Sequence, residues 1–222
     1  MISKSENKFL IGIVDTGTSN IMSVIHACNY FSINYKVIKN YENHNNISGI
    51  IVPGVGSYKA VMYNLKKNEL DKFIKEFVAS NKPSLFICIG MQILFEKSEE
   101  FGKTSGLGIL SGYIKKIPSK YNKYERNVPM IGWNNLDIKK VSEIFLNINA
   151  KTNFYFTHSY YADVYDKNII HSIVNYNQFL YCSSIEFKNI FATQFHPEKS
   201  GIEGIKIYEN FYKRIQQYGI NN

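Results

Sequence analysis

Three largely apolar segments in the first half of the sequence constrain the fold more than any other feature. They occupy residues 9–14, 48–52 and 85–89. Helical periodicity follows them at residues 21–30, 59–66, 70–79 and 91–96. A strand that is apolar on both faces is buried on both faces, which is typical of a parallel sheet covered by helices. The alternation therefore predicts an α/β fold.

The second half of the sequence has more β character. Strand patterns occupy residues 112–117, 153–157, 169–175, 179–184 and 190–194, and a last helix is predicted at residues 205–217. The two halves together predict one mixed, mostly parallel central sheet flanked by helices, with ligand sites outside the carboxyl ends of the strands. The length suits a single domain over residues 1–222, in which the polar residues 1–8 are predicted to be a flexible N-terminal extension.

Composition excludes several classes of protein. Hydrophobic residues make up 45% and charged residues 20%, which excludes wholesale disorder. No apolar run reaches the roughly 20 residues that span a bilayer, and the N-terminus lacks the features of a signal peptide, so we expect a cytoplasmic protein without membrane contact. The net charge of +8 comes from scattered lysines. Since nucleic-acid binding requires a basic face or stripe, we predict a solvated surface, whose charge can still help docking to an acidic partner.

The cysteines and histidines form no disulfide framework or metal-ligand pattern. Cys28, Cys88 and Cys182 are odd in number and far apart, so reduced thiols are expected. The five histidines show no ligand spacing such as H-E-x-x-H. We therefore expect neither a metal nor a cofactor.

Cys88 stands where the third apolar segment gives way to a helical pattern. A nucleophile on such a turn is exposed at the top of the sheet, and the amide of the next residue, Ile89, can point at a developing oxyanion. A helix N-terminus also favours the thiolate, and Gly90 permits a tight turn. Taken alone, a buried structural cysteine is an equally good interpretation.

The sequence His196-Pro197-Glu198 follows another predicted strand, at residues 190–194. Pro197 biases His196 towards an extended backbone, which would bring the carboxylate of Glu198 to the same side as the imidazole. The carboxylate would then fix the tautomer of His196 so that the other ring nitrogen faces a thiol. A solvated turn is the alternative.

A glycine-rich loop with the sequence PGVGS, at residues 53–57, follows the second apolar segment. Gly54 and Gly56 flank Val55 and allow backbone amides to point into a cleft, as a second oxyanion donor beside the amide of Ile89. A plain glycine turn is the alternative, and no phosphate-loop lysine follows. Because the cysteine, the histidine and this loop all come after strands, one cleft can gather them, which favours a Cys-His-Glu acyl-transfer site.

These residues lie in longer strings that resemble a known family. The strings CIGMQILFE at residues 88–96 and FHPEKSG at residues 195–201 are similar to class I (triad) glutamine amidotransferases. A further set is similar to the branch that supplies the glutaminase subunit of imidazole glycerol phosphate synthase: DTG at 15–17 with Asn20, PGVGS at 53–57, GWN at 132–134 and YFTHSY at 155–160. The resemblance runs from about residue 9 to the C-terminus.

The resemblance implies a flavodoxin-like glutaminase domain and a reaction. Cys88 would attack the side-chain amide carbon of L-glutamine, with His196 as base and then as acid to the leaving ammonia, and with Glu198 orienting His196. Water would then hydrolyse the thioester to glutamate. The substrate would be held by residues at matching positions of the family: Gly56, Gln92, Glu100, Ser159 and Tyr160.

The same resemblance implies a partner. Asn20, Trp133 and Lys199 match positions at the interface with a HisF-type (β/α)₈ cyclase, which would receive the ammonia in a heterodimer and make imidazole glycerol phosphate and aminoimidazole carboxamide ribotide. Two positions depart from the family pattern. Phe86 replaces a common glycine and is expected to alter the pocket near the thiol, and Met130 replaces a common histidine at a position expected to lie towards the partner.

Other interpretations remain open at this point. A similar protein that supplies ammonia to a sugar amidotransferase of surface-polysaccharide modification would use the same chemistry, and a catalytically inactive partner protein would keep the fold alone. His158 is a rival base, for which a structural, hydrogen-bonded role is the favoured interpretation.

Overall fold

The computed structural model describes residues 9–41, 44 and 46–221. The extension predicted for residues 1–8 lies outside the described residues. In chain order the strands are β1 (Leu10–Val14), β2 (Tyr35–Ile38), β3 (Ile47–Val52), β4 (Ser84–Ile87), β5 (Phe95–Ser98), β6 (Thr104–Ser105), β7 (Leu110–Lys116), β8 (Lys120–Tyr121), β9 (Tyr124–Glu125), β10 (Met130–Asn135), β11 (Asp137–Ile138), β12 (Asn153–His158), β13 (Tyr160–Val164), β14 (Ile170–Tyr176), β15 (Phe179–Phe187) and β16 (Ile190–Thr193).

The helices are α1 (Ile21–Tyr30), α2 (Tyr58–Lys67), α3 (Leu70–Ala79), α4 (Ile89–Ile93) and α5 (Gly201–Asn221). Short 3₁₀ turns occur at Glu143–Phe145, Lys167–Ile169 and Pro197–Lys199. Helices α1 and α5 contact each other, and α2 contacts both α3 and α4. No helix in the described part of the chain is both long enough and apolar enough to cross a membrane.

The central sheet has eight strands in the order β11-β14-β15-β16-β4-β3-β1-β2. The five strands from β16 to β2 are parallel to one another, and the pairs β15–β16, β14–β15 and β11–β14 are antiparallel. All residues of β4 and β16 are buried, because helices cover both faces of an apolar parallel strand. The predicted α/β fold with a mixed, helix-flanked sheet is confirmed.

The expectation of one sheet was incomplete. A second, four-stranded sheet has the order β13-β7-β5-β6, and two-stranded ribbons are formed by β10 with β12 and by β8 with β9. The predicted strand at residues 112–117 therefore belongs to the second sheet, and the one at residues 153–157 belongs to a ribbon. Strand periodicity reports which face of a strand is buried and not which strand is its neighbour.

The helix predicted at residues 91–96 was wrong in its extent. Helix α4 ends at Ile93, and the chain continues as β5. The amide of Leu107 donates to the carbonyl of Ile93 at 2.8 Å, and the amide of Ile109 donates to the carbonyl of Leu94 at 2.9 Å. These backbone carbonyls have partners from a distant segment, so continuing the helix would gain nothing.

Candidate active site

A cavity of about 360 Å³ opens beside the carboxyl ends of β3, β4 and β12. Ten of the residues singled out from the sequence line it: Asn20, Val55, Gly56, Cys88, Ile89, Gln92, Glu100, Ser159, Tyr160 and Lys199. The rival histidine, His158, lines it as well. Residues predicted to follow several separate strands therefore meet at one cleft, which is where the sheet topology of an α/β fold places ligand sites. His196 and Glu198 are not among the residues that line it.

Cys88 occupies a strained turn between β4 and α4. Its backbone has φ 55° and ψ −108°, a region that L residues rarely adopt. The turn is held on one side by the amide of Cys88, which donates to the carbonyl of Thr193 at 2.7 Å. On the other side, a Cβ atom on Gly90 would collide with the carbonyl oxygen of Val52. Cys88 lines the cavity, but the tight packing leaves only 2% of it exposed, so the expectation of an exposed nucleophile was wrong.

His196 and Glu198 form a buried pair directly behind the thiol. Nδ1 of His196 and Oε1 of Glu198 are 2.7 Å apart, and the two side chains are 1% and 5% exposed. The predicted contact is present, and His196 has the expected extended backbone, with φ −102° and ψ 97°, but the extended geometry does not continue to Glu198. Pro197 begins a 3₁₀ turn, and this turn, not a continued extended backbone, brings the carboxylate back to the ring.

The charge of the His196 imidazole depends on its neighbours Cys88 and Glu198. Burial disfavours the imidazolium, but the neighbouring Cys88 and then the Glu198 carboxylate outweigh it and raise the pKa of His196 to about 10. Nε2 of His196 is buried and makes no hydrogen bond of ordinary geometry to the described residues. The neighbours of His196 therefore favour its charged imidazolium form.

Gln194 is a residue of this site that the sequence analysis missed. Its side chain is completely buried, its Nε2 lies 3.7 Å from Sγ of Cys88, and its Oε1 accepts from Nε2 of Gln92 at 3.0 Å. Nε2 of Gln92 also donates to the carbonyl of Tyr160 at 2.9 Å. The available signal was spacing, because residues two apart in an extended segment point to the same side and Gln194 stands two before His196.

Glu100 lines the cavity with part of its carboxylate already engaged. Oε2 accepts from the amide of Tyr58, the first residue of α2, at 2.6 Å. Burial raises the pKa of Glu100, and the hydrogen bond from that amide opposes the shift. The structure thus presents a partly desolvated acid to the cavity, a suitable counter-charge for a ligand ammonium group.

His158 is a neutral structural histidine in this structure. Nδ1 lies 2.8 Å from the carbonyl of Tyr160 and Nε2 lies 3.1 Å from the hydroxyl of Tyr181. Burial lowers the pKa of His158 to about 4. Since both ring nitrogens are occupied and neither faces a carboxylate, this ring has no nitrogen free to take a proton from a thiol.

The glycine-rich loop contributes unevenly to the cavity. Val55 and Gly56 line it together with Ile89, and Gly56 adopts φ 89°, which favours glycine. Gly54 does not line the cavity. It packs against the turn after the thiol, since a Cβ on Gly54 would lie 2.8 Å from Cβ of Ile89.

The two departures from the family pattern both lie in the interior. Phe86 is completely buried, and its ring is not part of the cavity wall. Met130 is only 1% exposed and its Sδ lies 2.8 Å from the hydroxyl oxygen of Tyr181. The expectation that this position lies towards a partner was wrong, because residues alternate along β10 and Met130 is on its inner face.

The residues predicted for a partner interface lie on one exposed surface. Asn20 and Lys199 are exposed at the cavity, and Trp133, which is 55% exposed, lies outside it on β10. Tyr155 connects them: its ring centroid is 5.6 Å from that of Trp133, and Nζ of Lys199 lies 5.9 Å from it. Ile131, on the same outer face of β10, is 64% exposed.

Cys28 and Cys182 differ from Cys88 in their surroundings. Burial raises the pKa of each to about 12, so both remain thiols near neutral pH. The three cysteines are free, and the described residues contain no cluster of side chains that could hold a metal ion.

Comparisons with known proteins agree with the geometry. Residues 12–215 match the family "Glutamine amidotransferase class-I". The chain is 39% identical over 204 residues to the imidazole glycerol phosphate synthase subunit HisH of Dehalococcoides mccartyi (strain CBDB1), covering 92% of this chain and 97% of that protein. It is also 39% identical over 214 residues to HisH of Geobacillus sp. (strain WCH70), covering 95% and 99%.

Solved structures share the fold. PurLQS from Thermotoga maritima superposes with a TM-score of 0.71 at 17% identity over 94% of this chain and 99% of that one. A crystal structure described as a glutamine amidotransferase also gives a TM-score of 0.71, at 14% identity over 93% of this chain and 98% of that one. The resemblance inferred from the motifs is confirmed, and the chain belongs to the class-I glutamine amidotransferase family, in its HisH branch.

Proposed function

We propose that this chain is the glutaminase subunit of an imidazole glycerol phosphate synthase. It hydrolyses L-glutamine to L-glutamate and ammonia, and the ammonia passes to a HisF-type (β/α)₈ cyclase in a heterodimer. The observation that carries this proposal is that Cys88, which lines the cavity, lies beside the buried pair of His196 and Glu198, in a chain similar to HisH along nearly its whole length.

The proposed reaction begins with Cys88 as a thiolate and His196 as an imidazolium. The Cys88 thiolate attacks the amide carbon of glutamine, and the C=O π electrons move to the oxygen. The tetrahedral intermediate then collapses as the C–N bond breaks, while His196 gives its proton to the departing nitrogen, so that ammonia and a thioester form. Neutral His196 next removes a proton from water, which attacks the thioester and releases glutamate and the thiolate.

The oxyanion of both intermediates needs donors on the side of the cavity away from His196. The amides of Ile89 and Val55 are the proposed donors, and Gly54 supports them by letting the loop approach Ile89 closely. Preorganised amides of this kind stabilise a tetrahedral intermediate by about 3–4 kcal/mol. We propose that Val55 reaches its aligned position only when the cyclase is docked, so the isolated chain has low activity.

Recognition of the amino-acid end of glutamine is assigned to the far side of the cavity. Glu100 supplies negative charge for the α-ammonium group, and Gly56, Gln92, Ser159 and Tyr160 surround the rest of the ligand. Nε2 of Gln92 already holds the carbonyl of Tyr160, which keeps that wall in place before glutamine binds.

The docking face proposed for the cyclase consists of Asn20, Ile131, Trp133, Tyr155 and Lys199. Aromatic side chains with a neighbouring cation are enriched at the centres of protein interfaces. Because Asn20 and Lys199 also line the cavity, a cyclase docked here would cover the exit for ammonia. The complex is proposed to work in the cytoplasm, where the three free cysteines of this chain stay reduced.

Glutamate release by the chain co-purified with a HisF-type cyclase tests this function. We expect turnover that depends on the cyclase, loss of that turnover in Cys88→Ala, and wild-type turnover in the matched control Cys182→Ala. A glutamine-derived electrophile should label Cys88 and spare Cys28 and Cys182. Full turnover without the cyclase would contradict the proposed activation, and equal labelling of all three thiols would contradict the proposed nucleophile.

The alternatives are weaker against these observations. The hypothesis of an ammonia supplier for polysaccharide modification rested on the departures from the family pattern at Phe86 and Met130. Both side chains are buried in the interior. An inactive partner protein would not need the close pairing of His196 and Glu198 beside Cys88. Identifying the synthase that co-purifies from the native cell separates the two acceptors of ammonia.

A further inference from the structure

A buried tyrosine hydroxyl lies beside the carboxylate of Glu198 and has no part in the steps above. Tyr208, on α5, is completely buried, and its Oη donates to Oε2 of Glu198 at 3.3 Å. The other oxygen, Oε1, holds Nδ1 of His196 at 2.7 Å. Each carboxylate oxygen therefore has its own partner.

We propose, building on the function above, that Tyr208 is a positioning residue that holds the Glu198 carboxylate in the orientation that His196 needs. The last torsion of a glutamate side chain is broad and easily rotated. A single hydrogen bond leaves the carboxylate free to turn about that bond, and a second one fixes its plane. Among the described residues, the bond from Tyr208 is the one that Oε2 makes.

The surroundings of Tyr208 suit this role. Burial first, and the charge of Glu198 second, hold the pKa of Tyr208 well above its ordinary value, so its hydroxyl keeps its proton and acts as a donor. The side chain of Glu198 is 5% exposed, and a buried carboxylate needs donors in place of water. The distance of 3.3 Å is long for this kind of bond, so the expected effect is moderate.

Helix α5 also contains a matched control. Tyr212 stands one turn further along the helix and is 8% exposed. Its hydroxyl is buried and has no hydrogen-bond partner among the described residues. Removing the hydroxyl of Tyr212 therefore tests the loss of one buried oxygen from the same helix without loss of a hydrogen bond.

The experiment compares Tyr208→Phe with Tyr212→Phe, each in complex with the cyclase. For Tyr208→Phe we expect kcat for glutamine hydrolysis to fall about 3- to 10-fold, as for loss of one hydrogen bond. KM should not change, because Tyr208 does not line the cavity. Tyr212→Phe should keep the wild-type kcat.

A spectroscopic measurement separates positioning from a general effect on the fold. The proton between Nδ1 of His196 and Oε1 of Glu198 should give a far-downfield NMR resonance, which we expect to shift or broaden in Tyr208→Phe and to stay unchanged in Tyr212→Phe. Equal kcat values in the two variants, or the same resonance in both, would overturn the role of Tyr208. A wild-type complex without glutaminase activity would instead contradict the proposed function, and the resonance would still report on Tyr208.

Discussion

Two regions of the molecule bury a histidine with different partners. The segment after β16 carries His196, and the end of β12 carries His158. Both rings are almost completely buried, and each is close enough for the charge of one to affect the other. Nevertheless, the pKa of His196 is raised to about 10 and that of His158 is lowered to about 4.

Burial acts in the same direction on both rings, because it disfavours the charged imidazolium. The difference comes from the neighbours. His196 faces Cys88 and the Glu198 carboxylate, whereas His158 faces an uncharged carbonyl and an uncharged hydroxyl. Depth in the protein therefore does not identify an acid or base, and the charge of its partners does.

The largest expected effect comes from replacing His196, and the same replacement at His158 is the matched control. His196→Gln should lower kcat of the complex roughly 10⁴- to 10⁶-fold, because it removes the group that moves the proton. His158→Gln should keep kcat within about tenfold of wild type, since a glutamine amide can replace a neutral ring that only makes hydrogen bonds. Steady-state glutamate release checks both variants, and comparable losses would show that His158 shares the proton transfer.

Glu198→Gln makes the surroundings of His196 more like those of His158, with an uncharged partner at Nδ1. We expect kcat to fall roughly 10²- to 10⁴-fold. The pKa of His196 should fall as well, because one of the groups that raises it has lost its charge. An NMR titration of His196 measures this directly. An unchanged titration would mean that the carboxylate orients the ring without stabilising its charge.

Much of this arrangement could be predicted from the sequence, and the missing part has a physical reason. Cys88, His196 and Glu198 are next to apolar strands, and the carboxyl ends of parallel strands meet at one edge of a sheet. Tyr208 gave no such signal, because its contact with Glu198 depends on how α5 packs. Strand β13 and the second sheet were missed for the same reason, since pairing partners are set by tertiary structure.

The lowered pKa of His158 also predicts how the stability of the folded protein depends on pH. The folded protein keeps His158 neutral down to about pH 4, whereas an unfolded chain protonates it near pH 6.5. This stabilisation is present above pH 6.5 and is lost as the pH falls towards 4, and it amounts to about 2–3 kcal/mol between pH 7 and pH 4.5.

Urea unfolding of wild type and His158→Phe at these two pH values measures that loss. The variant should lose less stability on acidification, because phenylalanine does not titrate. His171→Phe should act in the same direction, since burial lowers the pKa of His171 to about 4 as well. The same acid-induced loss in wild type and His158→Phe would mean that His158 is protonated in the folded protein.

The smallest expected effect concerns Gln194, which lies against the thiol on the His196 side of the comparison. Gln194→Met keeps the length of the side chain but removes the amide that faces Sγ of Cys88 and the oxygen that receives Nε2 of Gln92. We expect kcat to fall about tenfold, as for the loss of one hydrogen bond to a charged group. Gln194→Glu keeps the acceptor for Gln92 and puts negative charge beside the thiolate, so its kcat should fall further. If Gln194→Glu kept wild-type activity while Gln194→Met lost it, the side chain of Gln194 would serve Gln92 and not the sulfur, because glutamate keeps the acceptor for Gln92 and methionine does not.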